Sequence, residues 1–204
     1  MKYLSLIIPI LFTVFAVTGH GFFFRAGVSA SCAIILWIMS KQTVSRHIWW
    51  VIAALIVSIA ADWFMTRKGV LVYFLFAIIL FFMAHTGFFL FCLKNGRINW
   101  RFLLPVLTGY LIFFFAILFP AIKPTYLLVA VLAYLIISCF SLSAAVGLRL
   151  PAMAHWCFAA GIALLVFSDT IIALNIFVKY KDLNFLILPT YFASHVMVTL
   201  ALLK

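Results

Sequence analysis

The sequence contains no glutamate, and its only acidic side chains are Asp62, Asp169 and Asp182. Any acid–base chemistry therefore has few owners. Charged residues make up 8% of the 204 positions, against about 25% in a soluble domain. Hydrophobic residues make up 69%, against roughly 45–50%, and the mean hydropathy is +1.35. These values exclude a soluble globular fold and a disordered chain. They also exclude a nucleic-acid binder, despite a formal net charge of +11, because the bases lie mostly between apolar runs, where membrane proteins keep them. Glycine and proline are scarce and rarely interrupt those runs; Pro105 falls in a first helical turn, and Pro9 is the main exception. Cys32, Cys92, Cys139 and Cys157 all lie inside apolar runs and form no CxxC pair. They read as small apolar filler and do not reveal a redox compartment.

What remains is a series of long apolar stretches. A helix needs about 20 mostly apolar residues to span a bilayer core of about 30 Å. Breaking the chain at its charges gives runs over residues 3–24, 22–40, 47–66, 69–93, 102–122, 124–148, 150–178 and 183–203. Only Arg25, Asp62 and Asp169 are charges inside them. The runs are apolar at every position, without the alternation of a membrane β-barrel, and lipid forbids open backbone. The expected fold class is an all-α integral membrane protein of eight transmembrane helices in one domain, residues 1–204. The first run is long and lacks an A-x-A-like cleavage site, so it reads as a retained helix rather than a signal peptide. Short connections rich in Gly, Pro, Asn and bases make neighbouring helices antiparallel hairpins. Eight crossings put both termini on one side, with Lys2, Lys41, Arg46, Lys94, Arg97, Arg101, Arg149 and Lys204. The other side holds Arg25, Arg67, Lys68, Lys123, Lys179 and Lys181. The slight excess favours cytoplasmic termini, and the expected location is a bacterial inner membrane.

Two segments resemble each other. Phe81-Phe82-Met83-Ala84-His85 lies in the fourth run, and Tyr191-Phe192-Ala193-Ser194-His195 in the eighth. Asp62 and Asp169 lie in the third and seventh runs, offset by a similar stretch of chain. This fits a four-helix unit duplicated in parallel, over residues 1–95 and 101–204; coincidence among 24 phenylalanines is the alternative. Duplication would bring Asp62 and Asp169 to similar depth on one side. At about 1.5 Å per residue, His85 lies about 18 Å below its helix start, and Asp62 only about 6–8 Å from its helix end. Direct contact between those two is not expected, whereas Asp169 and His195 differ by about one turn.

An ionisable group inside a span is functional by default, because it costs at least ~2.5–3.5 kcal/mol at the centre. Asp62 and Asp169 are therefore the candidate catalytic pair; the alternative is a structural carboxyl paired with Arg25 or Lys68. Ser58, one turn before Asp62, and Ser168, next to Asp169, are placed to hydrogen-bond a carboxyl. His85 and His195 either line the site or serve as buried helix–helix donors. Tyr191 shares a face with His195. Tyr134, Ser138 and Ser141 form a polar stripe, whose alternative is packing glue. Arg25 either snorkels or grips a phosphate bidentately. His20, His47 and His155 lie at run ends and read as interfacial, Trp49 and Trp50 as interface belt, and Asp182 as a solvated loop charge.

Several patterns carry a family resemblance. Ser58-Ile59-Ala60-Ala61-Asp62 resembles S-x-x-G-D, with Ala61 replacing Gly. Phe82-Met83-Ala84-His85 resembles F-x-x-H, and Tyr134 falls where a sixth-helix Tyr stands. Phe167-Ser168-Asp169-Thr170-Ile171-Ile172-Ala173-Leu174 resembles F-x-S-D-x-x-L-A, shifted by one at its end, and Tyr191-Phe192-Ala193-Ser194-His195 resembles Y-[YF]-x-A-[QH]. Arg25 stands near a usual Lys-Pro whose Pro is absent. In their order these motifs make the chain resemble the YhhN-like lysoplasmalogenases, small eight-helix membrane proteins. The resemblance implies hydrolysis of the vinyl-ether bond of a lysoplasmalogen to a fatty aldehyde and glycerophosphoethanolamine or glycerophosphocholine, without a cofactor. A vinyl ether breaks by protonation at carbon, and water captures the resulting oxocarbenium ion. One protonated carboxyl and one carboxylate suit that chemistry, as they do in glycosidases. Expected substrate-binding residues are Arg25, Ser58, His85, Tyr134, Ser168, Tyr191 and His195, with the headgroup near Arg25 or Arg67. The partners are a lysophospholipid and the membrane lipids.

Three other readings use the same residues. A zinc-dependent intramembrane lipid amidase would need Asp and His ligands, but no H-x-x-x-H or H-E-x-x-H pair occurs. An intramembrane aspartyl protease lacks its G-x-G-D pattern here. A proton-coupled transporter uses embedded Asp and His as relays, but broken helices are rare in this chain.

Overall fold

The structure is a computed structural model and describes residues 2–19 and 21–203, with side chains from residue 4 onward. The interfacial reading of His20 and the charges of Lys2 and Lys204 lie outside the described residues.

Eight α-helices and no strands occur among the described residues. They are α1 (Ile7–Val17), α2 (Phe22–Ile38), α3 (Trp49–Met65), α4 (Leu71–Asn95), α5 (Trp100–Phe113), α6 (Thr125–Val146), α7 (Ala152–Ala173) and α8 (Asn184–Leu202). Each follows one of the apolar runs, with α4 continuing through Lys94 and Asn95 past its run and α5 starting two residues before its own. Pro124 and Pro151 stand in extended backbone immediately before α6 and α7. Proline has no N–H to leave orphaned at that position. Asn99 caps α5, its Oδ1 accepting from the Phe102 N–H at 3.2 Å. Pro9 does not interrupt a helix: α1 starts at Ile7, after a short 3₁₀ turn over Lys2–Leu6, so Pro9 falls in its first turn.

Two helices end in a wider π turn, α5 over Phe114–Leu118 and α7 over Leu174–Val178. Counting those turns, the helical stretches of α4 to α8 are long and apolar enough to cross a membrane. The apolar helical stretches of α1, α2 and α3 fall short of the usual length. The long helices make this a multi-pass membrane protein. Its surface agrees, because large apolar side chains face outward, with Leu104, Ile112 and Phe115 of α5 more than half exposed. In water such a surface would be an association hazard; in lipid it is the expected solvent face.

α3 packs on α4 and α7 on α8; α2 packs on α3 and α6 on α7; α8 meets α2 and α4 meets α6; α1 lies on α2 and α5 on α6. At the end of the bundle where α2, α4, α6 and α8 finish, backbone ties bind the loops. Arg97 N–H donates to Gly147 O (3.1 Å), Arg149 N–H to Asn95 O (3.0 Å) and Val44 N–H to Leu202 O (3.1 Å). Gly147 is required there, because a Cβ would lie 1.8 Å from Arg97 O. All four cysteines are free, and three are buried, in keeping with a packing role. His155 Nε2 donates to Val146 O at 3.1 Å, and its ring stacks on Trp156.

Candidate active site

The two intramembrane acids stand near the opposite end of the bundle. α3 ends three residues after Asp62, whereas α7 continues through its π turn to Val178. Asp169 thus lies about 13 Å from its helix end and Asp62 about 4–5 Å, at 1.5 Å per residue. Along its own helix, Asp169 therefore stands farther from the end than Asp62 does.

That offset decides the partners. The Oδ2 of Asp169 accepts a hydrogen bond from the Tyr134 hydroxyl at 2.6 Å and lies 3.1 Å from His85 Nε2. His85 Nδ1 is buried without a partner, so the tautomer that fits the network carries its proton on Nε2, toward the carboxylate. The Oδ2 of Asp62 accepts from the Tyr191 hydroxyl at 3.2 Å. Each acid is thus held by a helix from the other half of the chain: α4 supplies His85 to α7, and α8 supplies Tyr191 to α3. Each carboxyl uses one oxygen, and neither Oδ1 appears among the buried unpartnered atoms. The two clusters lie within electrostatic range: Asp62 feels both Arg25 and Asp169, and Tyr191 feels both acids.

The acids do not open into one shared cavity. Asp62, Arg25 and Tyr191 line a cavity of about 400 Å³ together with Lys68, Thr66, Asn175 and Asn184. Asp169 lines a smaller apolar one of about 60 Å³ between Phe74, Ile78, Val131 and Phe177. It also borders one of about 40 Å³ with Tyr110 and Ser138. Met65, Phe81 and Ile172 line both the 400 Å³ and the 60 Å³ spaces and form their common wall.

Other candidate residues lie elsewhere. His195 is fully buried; its Nδ1 meets Ser29 Oγ at 3.0 Å, across α8 and α2. Among the hydrogen bonds found it joins neither acid, and it reads as the buried helix–helix donor rather than a residue lining the site. The Tyr191 ring lies tilted against the His195 ring, 4.6 Å between centroids. Ser168 donates to Ile187 O at 3.0 Å and ties α7 to α8 rather than Asp169. Ser58 donates to Ala54 O at 2.9 Å and faces the Tyr191 hydroxyl, not Asp62 directly. Ser141 Oγ is buried and unpartnered. Arg67 lies over the Trp63 ring at 3.8 Å and does not line the cavity; Lys68 does.

Lys68 is exposed at the rim, in the turn between α3 and α4. Partial burial of its ammonium holds its pKa below the ordinary 10.5, and Arg25 adds to the shift. Asn175 donates to Asn184 across the mouth. In the sequence these three residues look like ordinary turn formers, and only the fold shows that they edge a cavity. Among the described residues no three of His, Cys, Asp and Glu gather closely enough to hold a metal ion.

The YhhN family profile matches residues 22–202. The chain belongs to the YhhN family. The match runs from the first residue of α2 to the last of α8, so it includes both acids and both of their helix partners. No curated protein and no solved structure matches the chain.

Proposed function

We propose that this YhhN-family protein is a membrane lysoplasmalogenase that crosses the bilayer eight times and uses Asp62 and Asp169 as its catalytic pair. The observation that carries the reading is the pair itself. Two carboxyls, each with one oxygen committed to a tyrosine, line adjoining cavities with a common wall, one polar and one apolar. An alkenyl lysolipid has the same division. Its headgroup belongs with Arg25 in the polar cavity, its chain between the phenylalanines, and its vinyl ether at the wall of Met65, Phe81 and Ile172.

Asp62, with one donor and the larger cavity before it, gives its proton to the β-carbon of the vinyl ether. The C=C electron pair forms the new C–H bond, and the α-carbon becomes an oxocarbenium ion. Asp169 faces this cation as a carboxylate, which is acceptor-only and suits two donors on one oxygen. Electrostatic stabilisation of developing charge is commonly the largest catalytic contribution. Water then adds to the α-carbon, its proton returning to Asp62. The hemiacetal then collapses: its hydroxyl gives up its proton as the C=O bond forms, the C–O bond to glycerol breaks, and the glyceryl oxygen takes a proton and leaves as an alcohol, so the aldehyde remains. The pairing of α3 on α4 with α7 on α8, and of α8 on α2 with α4 on α6, supports a duplicated four-helix unit as the origin of this arrangement.

The test is release of fatty aldehyde from a lysoplasmalogen by the purified protein, followed by mass spectrometry. Asp62→Asn and Asp169→Asn are each expected to lower the rate at least about a hundredfold while folding normally. Retained activity in both would end the assignment.

A further inference from the structure

We infer that the groove between the α4–α5 and α6–α7 loops, at the tied end of the bundle, binds an anionic phospholipid of the surrounding bilayer. The groove measures about 950 Å³ and is lined by Arg97, Arg101 and Arg149, with no acid among its lining residues. Asp62 and Asp169 stand near the opposite end, and Asp182 lies at that end too, in the loop between α7 and α8. All three arginines are exposed, and none takes part in the one ion pair found within 4 Å among the described residues, His85–Asp169. Cations held together without an anion repel one another, and a phosphate relieves that repulsion. The planar fork of arginine matches phosphate oxygens.

The backbone beneath these side chains is fixed. Arg97 N–H donates to Gly147 O at 3.1 Å and Arg149 N–H to Asn95 O at 3.0 Å. Ser143 Oγ donates to Asn99 O at 2.8 Å, and Asn99 N–H to Ser143 O at 3.3 Å. Folding itself therefore orders both loops, and a ligand does not bear the entropy of assembling them. Depth selects the occupant. The groove lies where α4 and α6 end and α5 and α7 begin, and the helical stretches of all four are long and apolar enough to cross a membrane. It thus stands at the level of the lipid headgroups. Trp100, 59% exposed beside Arg101, is the residue type that marks this level. Leu93 on the groove wall is exposed as well and gives an acyl chain apolar surface next to the charges. Basic pockets between membrane helices are where acidic headgroups bind. Neither Asp62 nor Asp169 borders the groove, so this site stands whether or not the proposed reaction does.

Binding is measured with the full chain in an uncharged detergent, titrated with dioleoyl phosphatidylglycerol or dioleoyl phosphatidylcholine and read by native mass spectrometry and thermal unfolding. Phosphatidylglycerol is expected to bind about tenfold tighter than phosphatidylcholine and to raise the melting temperature as its concentration rises. The triple variant Arg97→Gln, Arg101→Gln, Arg149→Gln keeps the backbone ties. It should melt with the unaltered protein in detergent alone and bind the two lipids within about twofold of each other. Arg149→Gln by itself, on the second loop, should cut the preference to about threefold, and it carries the test if the triple variant folds poorly. Lys41→Gln with Arg46→Gln removes charge from the α2–α3 loop at the same end, outside the groove, and should leave the preference in place. An equal loss in that control would mean diffuse attraction by the whole face and overturn the site. So would equal binding of both lipids by the unaltered protein, or an undiminished preference in the arginine variants. Displacement of the lipid by equimolar inorganic phosphate or by an equimolar acidic peptide would overturn its assignment to a membrane lipid.

Discussion

Tyr134→Phe removes a single hydroxyl and leaves the ring in place. That hydroxyl donates to Asp169 Oδ2 at 2.6 Å, a length typical of an O–H bond to a carboxylate. Hydrogen bonds to charged groups contribute about 1.5–3 kcal/mol. If Asp169 stabilises the oxocarbenium ion, this geometry is needed most in the transition state, and the loss appears in kcat. At about 1.4 kcal/mol per tenfold the expected fall is roughly 10- to 150-fold. His85 stays 3.1 Å from the same oxygen, so activity is lowered, not abolished. The phenyl ring still meets the His85 ring edge to face, 5.4 Å between centroids, so the melting temperature should change little. Tyr110→Phe is the matched control. Its hydroxyl pairs with Thr170 Oγ1 at 2.9 Å, a neutral bond beside Asp169 that does not reach the carboxyl, and kcat should stay within about threefold. The assay is aldehyde release at saturating alkenyl lysolipid, with thermal unfolding in parallel. If Tyr134→Phe keeps kcat within about threefold while Asp169→Asn is inactive, the tyrosine does not hold the catalytic carboxylate. If both tyrosine variants fall equally, packing rather than the bond explains the loss.

Gly147→Ala should destabilise the protein by roughly 1–3 kcal/mol, because its Cβ would meet Arg97 O at 1.8 Å; thermal unfolding reads this directly. Gly109→Ala, with no atom within 4 Å, is the neutral comparison, and a Gly147→Ala protein that melts with it would refute the tie between the loops. Ser29→Ala removes the buried partner of His195 and should cost about 0.5–1.5 kcal/mol of stability, with aldehyde release per folded molecule unchanged; a selective loss of kcat would return His195 to the site. Lys68 releases its proton at a lower pH than an ordinary lysine, so binding of a saturated alkyl lysophosphocholine should be full below that pKa and weaken as pH rises through it, before 10.5. Lys68→Arg stays charged and should extend the plateau; an identical decline in both proteins would exclude Lys68 as the titrating group.

Much of this arrangement was legible in the sequence. Each apolar run became one helix, since in lipid hydrophobic length and backbone satisfaction leave little choice. The scarcity of acids pointed to Asp62 and Asp169, and Tyr134 and Tyr191 proved to be their hydroxyl partners. The failures are of facing rather than of span. Distance along a helix gives a position but not the neighbour a side chain meets, and His195, expected within about one turn of Asp169, bonds Ser29 instead. Serines adjacent to an acid in sequence need not face it: Ser168 points about 100° around the helix from Asp169 and bonds to α8 instead. Asn175 and Asn184 were invisible because a turn residue has no periodicity to reveal what it faces, and in the sequence Lys68 stands only as the partner of a structural carboxyl.

The two ends of the bundle do different work, and the glycines and helix ends show why. At one end Gly96 and Gly147 let backbone approach backbone, and a Cβ on either would lie within 2.5 Å of a carbonyl oxygen. Loops tied this closely cannot part without breaking several hydrogen bonds together. At the other end Gly19 and Gly69 have nothing within 4 Å of a Cβ, and the loops there edge cavities. A helix with a π turn carries an extra residue per turn and leaves carbonyls without their usual partner, a geometry frequent at functional sites. α7 makes that turn at Leu174–Val178, just over one helical turn beyond Asp169, and Lys179 closes it in the left-handed region at φ 64°. Asn175 lies within the turn and points into the mouth with Asn184. If the proposed reaction holds, lipid reaches the site beside Lys68 and Asn184, where Asp62 lines the larger space and Asp169 stands behind the wall of Met65, Phe81 and Ile172. That arrangement suits the chemistry, in which the proton donor must act before the cation it creates needs a partner.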